Sequence, residues 1–395
     1  VGLTSRKLEL VVALGAVVAY AGTVWLWPRL GGRGWRALAG RALVLLAGQV
    51  LALAAIGLAA NDWGGFYSSF DDLLGTGQGG AGVFTAHANR SGPARAPVHP
   101  GDPVKVKGSK PVPLMLPGAG PHTAAGMVQR VSIRGSGTGL TEQAYVYLPP
   151  QYFQASAARR RFPVILVLTG YPGTAHNLIS RMKYPTLAAQ AIVRGAMQPT
   201  VLVMMRPSVA MPRDTECQDV PAGPQAETFF DVDLHQAMAA HYRVGVSGRS
   251  WAVIGDSTGG YCALKLAVRD PQAFSAAASL SGYYTAAQDS TTGNLFAGSQ
   301  RLREENDLMW RLRNLPPPRV SVLVATSRQG EADYRATLAF IAAAKPPMDV
   351  ASLILPSGGH NFHTWNRETP TALPWTAHHL HTPPDTPSPD TRFVR

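Results

Sequence analysis

The sequence predicts an α/β domain built on a mostly parallel central sheet with helices on both faces, preceded by two transmembrane helices. Three observations predict it. Short apolar runs of strand length alternate with helical stretches between residues 126 and 380. Several of those runs are apolar at every position, as strands buried on both faces are. The chain is 46% hydrophobic and only 15% charged, against about 25% charged in soluble domains, and the hydrophobic excess sits in two long stretches before residue 61.

The first stretch, Leu8 to Trp27, carries one charge, Glu9, at its edge. The second, Ala37 to Ala60, carries only Arg41, near its start. At about 1.5 Å per residue each crosses a hydrocarbon core of about 30 Å. Trp25, Trp27, Trp35 and Trp63 fall near the segment ends, where interfacial aromatics gather. A cleaved signal peptide followed by a core helix is the competing reading. The first stretch is longer than a signal core and lacks an evident small-residue cleavage site. The connecting loop holds Arg29, Arg33 and Arg36, with Arg41 just beyond, whereas Asn61, Asp62, Asp71 and Asp72 follow the second stretch. Positive charge marks the cytoplasmic side, so the C-terminal region is expected outside the cell membrane; Arg6 and Lys7 narrow the margin. The chain begins with Val rather than Met, so helices upstream are left open.

The membrane region is thus expected over residues 1–74. Residues 75–125 are rich in Gly, Pro and Ala and are expected to be a linker. The α/β domain is expected over 126–380, and the Pro-rich run 381–395 as a disordered tail. Within the domain, strands are expected at Met127–Ile133, Gln143–Leu148, Pro163–Leu168, Thr200–Met205, Trp251–Ile254, Ala276–Leu280, Val320–Ala325 and Ala351–Leu355. Helices are expected at Phe230–His241 and Gly259–Val268, among others.

The sharpest chemical signal is Gly255-Asp256-Ser257-Thr258-Gly259, G-x-S-x-G between an apolar strand and a small-residue helix. Such a turn is too tight for flanking side chains, and it lifts the serine hydroxyl over the sheet edge. The helix start favours developing negative charge there. Serine needs a base, and in α/β hydrolases the chain order is Ser, acid, His. His360 lies on a Gly-rich loop just past the last strand, with His363 as the fallback. The acid is expected after the strand at 320–325, where Glu331 and Asp333 both stand; loop position favours Glu331. Backbone N–H groups of Thr258 and Tyr171 are the expected oxyanion donors, since Pro172 has none to give.

The runs YVYLPPQYF, RRFPVILVLTGYPG, DTECQDV, GDSTGGYCALKLAVRDPQAFSAAASLSGYY and GGHNFHTW resemble the actinobacterial esterase family that includes the mycolyltransferases and is related to S-formylglutathione hydrolase and enterochelin esterase. The resemblance spans roughly residues 126 to 380. It implies Ser257 as nucleophile, His360 as base and Glu331 as acid, in an exported domain acting on acyl esters at the cell envelope. Thr169 departs from it, standing where many hydrolases have His before the Gly of the oxyanion loop.

The expected activity is a membrane-anchored serine esterase acting on a small-molecule or lipid ester, with no cofactor and no metal. An acyltransferase that hands the acyl group to a sugar or glycolipid hydroxyl shares the first half-reaction. A non-catalytic envelope protein would be expected to lose one of the three residues. The net charge of +12 suits an anionic membrane or wall; basic residues are scattered, with no nucleic-acid motif, so no nucleic-acid partner is expected. Cys217 and Cys262 allow either one bridge in an exported domain or two buried thiols.

Overall fold

The computed structural model describes residues 6–32, 34–64, 102–112 and 125–385. The chain forms two compact units, Val1–Gly80 and Ala81–Arg395.

The first unit is a helical hairpin. Helix α1 spans Arg6–Leu26 and α2 spans Trp35–Gly64, each slightly longer than its apolar stretch predicts. Their apolar side chains point outward: Leu10, Val17, Val24, Leu43, Val50 and Leu53 are all exposed. A helix that is hydrophobic all round needs an apolar surround. Both helices are long and apolar enough to cross a membrane, with mean hydropathy of 1.8 and 2.3 over their most apolar windows. Small residues let them approach: a Cβ on Gly48 would lie 3.5 Å from the Tyr20 ring. Arg41 donates to the Leu30 carbonyl at 2.7 Å and so ties the turn between them. Arg33, Asp71 and Asp72, which bear on orientation, lie outside the described residues.

The second unit is a nine-stranded sheet in the order β1-β2-β3-β5-β4-β6-β7-β8-β9. The strands are β1 Val104–Pro111, β2 Met127–Arg134, β3 Thr141–Leu148, β4 Val164–Leu168, β5 Val201–Met205, β6 Trp251–Asp256, β7 Ala276–Leu280, β8 Ser321–Gln329 and β9 Asp349–Ser357. Pairings from β5 through β9 are parallel; β1, β2 and β3 add an antiparallel flank. Eight of these strands fall where the sequence places them. The first corrects the expected linker. Val104, Lys105 and Val106 alternate, and Val104 is buried. That period-2 pattern hides in a segment whose Pro, Gly and Lys content reads as linker. Beyond β1, residues 65–101 and 113–124 lie outside the described residues.

All five residues of β4 and all five of β5 are buried, which is why VILVL and VLVMM show no alternation. One face of the sheet carries α5 (Leu234–His241), α6 (Thr258–Arg269), α8 (Leu308–Asn314) and α9 (Tyr334–Ala343), through Leu234, Leu264, Leu308 and Phe340. The other carries α3 (Ala175–Ser180), α4 (Tyr184–Val193) and α10 (Phe362–His378), through Leu178, Tyr184 and Leu373. A short α7 (Gln300–Glu305) precedes α8. The helix expected at 230–241 opens as a π turn over Phe229–Asp233. At the C-terminal end, His381 N–H donates to the Arg249 carbonyl at 2.9 Å and Thr382 Oγ1 to Gln198 Oε1 at 2.8 Å. The first residues of the expected tail therefore pack on the domain, and 386–395 lie outside the described residues.

Trp251 anchors the start of β6. It is fully buried, its indole N–H donates to the Gly245 carbonyl at 2.7 Å, and its ring stacks on His235 with centroids 3.8 Å apart. Burial lowers His235 to about 3, so that imidazole is neutral. Trp251→Ala is expected to cost about 3–5 kcal/mol of unfolding free energy in urea titration.

Candidate active site

The site forms where the sheet reverses direction. The chain runs from β4 to β5 on one side, then crosses back to β6 on the other. Loops leaving β4 and β6 diverge there, at the carboxyl ends of parallel strands, where open α/β sheets place their ligands.

Ser257 sits in the turn from β6 into α6 with φ +54° and ψ −122°, a backbone conformation that side chains rarely adopt. Its N–H donates to the Leu280 carbonyl at 3.0 Å. The flanking glycine is a steric requirement: a Cβ on Gly259 would lie 2.2 Å from the Leu168 carbonyl oxygen. The helix start thus abuts the end of β4.

His360 Nε2 lies 2.8 Å from Ser257 Oγ, and His360 Nδ1 lies 3.3 Å from Glu331 Oε2. The imidazole is partly exposed, at 44%, while the Glu331 side chain is nearly closed off, at 2%. Glu331 reaches His360 because the loops after β8 and β9 touch. Gly330 has φ +95°, and a Cβ there would lie 2.4 Å from the Gly358 carbonyl oxygen. Trp365 of α10 meets the His360 ring edge-on at 5.2 Å. Asp333, the other candidate acid, sits at the start of α9, where its backbone carbonyl accepts from Thr337. Partial burial raises its pKa, with Glu331 adding to the rise and His360 opposing it. His363 is exposed on the first turn of α10. The arrangement therefore brings together Ser257, His360 and Glu331, and leaves Asp333 and His363 aside.

Sequence reasoning missed Asp256. Its carboxylate is fully buried, and Oδ2 accepts the Gly170 N–H at 2.9 Å, tying the loop after β4 to the elbow. Gly170 N–H is thereby occupied, which leaves Tyr171 as the next backbone donor along the loop. The Tyr171 hydroxyl donates to the Pro212 carbonyl at 2.7 Å. Thr258 N–H is the first of α6, a position with no partner inside a helix. No rule of spacing singles out Asp256; only its place beside Ser257 could have done so.

Cys217 and Cys262 are joined as a disulfide with Cα atoms 5.8 Å apart, linking the loop at 214–218 to α6. A cavity of about 580 Å³ elsewhere is lined by Glu227, Asp231, Arg269 and Trp310 among others, and by none of the three clustered residues. Among the described residues no cluster of three or more His, Cys, Asp or Glu is arranged to hold a metal ion.

Residues 138–338, just over half of the chain, match the family described as "Putative esterase". The chain belongs to this esterase family. The matched span includes Ser257 and Glu331, and His360 lies beyond it. Among solved structures the esterase domain is similar to a ferulic acid esterase, with 18% identity, 64% of this chain and 97% of that one covered, and a TM-score of 0.54. It is also similar to an S-formylglutathione hydrolase from Agrobacterium tumefaciens, at 15% identity, 65% and 96% coverage and a TM-score of 0.53. A fluorophosphonate-binding serine hydrolase F of Staphylococcus aureus aligns at 14% identity, 64% and 98% coverage and a TM-score of 0.51. These likenesses concern the fold. An uncharacterized protein of Corynebacterium glutamicum is 23% identical over 160 residues, 40% of this chain, and the chain spans 37% of that relative's length.

Burial raises Asp256 to about 7. The folded esterase then holds a proton that the unfolded chain releases near pH 4. The native state binds more protons, so stability falls as pH climbs from about 4 to about 7. Asp256→Asn should remove that contribution, on the order of 4 kcal/mol. In thermal denaturation the midpoint of the wild type should fall more steeply between pH 5 and 7.5 than that of the variant.

Proposed function

We propose that this chain is a membrane-anchored serine esterase that hydrolyses carboxylic acyl esters at the cell envelope. One observation carries the reading: Ser257 Oγ, His360 and Glu331 form a continuous line, with 2.8 Å and 3.3 Å between successive partners. His360 Nε2 takes the Ser257 proton as Oγ attacks the ester carbonyl. Glu331 accepts from Nδ1–H, fixes the tautomer and stabilises the imidazolium that forms. The carbonyl oxygen becomes an oxyanion facing the N–H groups of Thr258 and Tyr171, at the positive end of α6. The tetrahedral intermediate collapses, the alcohol leaves with the proton from His360, and an acyl-Ser257 ester remains. Water, deprotonated by the same imidazole, attacks that ester and releases the acid.

The membrane part of the proposal rests on α1 and α2, which are long and apolar enough to span. The outward placement of the domain rests on the arginines of the loop between them and on the Cys217–Cys262 disulfide, a bond favoured outside the cytoplasm. A sugar hydroxyl in place of water would turn the same acyl-enzyme into a transferase, so product analysis belongs in the test.

With p-nitrophenyl acetate, Ser257→Ala and His360→Ala should each lower kcat by about 10⁴-fold or more, and Glu331→Gln by about 10²- to 10⁴-fold. A fluorophosphonate probe should label the wild type and not Ser257→Ala. An unlabelled wild type, or a serine variant with undiminished turnover, would overturn the esterase reading. Product analysis with a sugar acceptor present should show free acid; acylated sugar as the main product would make the protein a transferase. A C-terminal alkaline phosphatase fusion should be active in intact cells, and the chain should stay in membranes through alkaline carbonate extraction. An inactive fusion or a released chain would sink the topology.

A further inference from the structure

The mechanism leaves Glu216, a buried acid linked through Tyr283 to Thr258, without a role. Glu216 is fully buried on the loop after β5, and its Oε1 lies 2.6 Å from the Tyr283 hydroxyl. That hydroxyl lies 3.1 Å from Thr258 Oγ1. Thr258 follows Ser257 and carries one of the two oxyanion donors. Two hydrogen bonds therefore connect Glu216 to the residue that receives the developing charge. We propose that Glu216 is a positioning residue: acting through Tyr283, it fixes Thr258 and keeps the surroundings of the oxyanion free of negative charge. The inference rests on Ser257 being the nucleophile.

The loop is held as though its shape matters. Glu216 and Cys217 both adopt positive φ, +49° and +51°, which is costly for two successive side chains. Three restraints hold them. The Cys217–Cys262 bond ties the loop to α6. Lys265 Nζ, fully buried on α6, donates to the Cys217 carbonyl at 2.7 Å and to the Glu216 carbonyl at 3.3 Å. Asp214 Oδ1 accepts the Glu216 N–H at 3.1 Å. The Tyr283 ring is held in turn by stacking on Tyr261 at 5.1 Å.

The proton on Glu216 decides which way the hydroxyl chain points. In the neutral form the carboxyl O–H donates to the Tyr283 oxygen, and Tyr283 O–H donates to Thr258 Oγ1. In the ionised form Tyr283 donates to the carboxylate and Thr258 O–H donates to Tyr283. Burial pushes Glu216 up to about 8, and Asp214 adds to the rise; Tyr283 and Lys265 oppose it. The groups facing it are Asp214 on its own loop, Lys265 and Tyr261 on α6, and Tyr283 after β7. Lys265 already pairs with Glu227 at 3.3 Å, so its charge is shared. Above that pH a full negative charge stands near the oxyanion, and like charges in a dry site oppose each other strongly. Turnover should therefore fall as pH rises through about 8.

The test measures kcat and KM for p-nitrophenyl acetate from pH 6 to 9.5 with the full chain in detergent. It compares wild type, Glu216→Gln, Glu216→Ala and Tyr283→Phe, with fluorophosphonate labelling to count folded sites. Glu216→Ala and Tyr283→Phe should lower kcat per labelled site about 10- to 100-fold at pH 7 with KM little changed, the scale of weakening an oxyanion donor. Glu216→Gln, which keeps a neutral donor to Tyr283, should recover most of that loss and abolish the alkaline fall. An alkaline fall that persists in Glu216→Gln, or unchanged kcat in both other variants, overturns the proposal while leaving the Ser257 reading intact. A wild type that is neither labelled nor active overturns both.

Discussion

The contact of Gly259 with the end of β4 is the constraint on which the site depends. No side chain fits there, because a Cβ would lie 2.2 Å from the Leu168 carbonyl oxygen. The bare backbone lets α6 begin directly against the sheet edge. Ser257 is forced to positive φ, and its hydroxyl rises over the strand ends toward His360. The loop after β4 comes to the same place, where Asp256 holds it through Gly170. Ser257 and the loop after β4 are brought together by one close approach of two backbones.

Helix α6 then serves the site along its length. Its first N–H, that of Thr258, is the proposed oxyanion donor beside Ser257. Cys262 in its second turn and Lys265 a turn later hold the loop that carries Glu216. Lys265 is fully buried, and it is tolerable there because Glu227 and three oxygen acceptors surround it. Removing one partner of such a pair costs about 3–5 kcal/mol, since the remaining charge is left buried alone. Covalent and ionic restraints thus converge on one short loop, against the strain of two positive-φ residues.

The sequence shows the sheet well because parallel strands are buried on both faces and read as unbroken apolar runs. β4 and β5 are the clearest cases. β1 escapes the same reading for the opposite reason. It is an edge strand whose Lys105 and Lys107 face outward, as edge lysines commonly do, so its composition resembles a linker. Asp256 and Glu216 were equally opaque. A carboxylate acquires a role through what surrounds it, and Gly170 and Tyr283 reach these two across 86 and 67 positions of chain.

By itself, the sequence determined the α/β class, the strand–turn–helix about Ser257, the Gly-rich loop bearing His360 and the two apolar helices. Each of these is a local pattern, set by periodicity, turn chemistry or length. Tertiary structure decided which acid meets His360, because Glu331 and Asp333 are two residues apart and only loop contact at Gly330 and Gly358 selects between them. It decided, for the same physical reason, that Cys217 and Cys262 are bridged rather than two separate thiols. Hydrogen bonds and disulfides join atoms that are close in space, and closeness across tens of residues exists only once the sheet has formed.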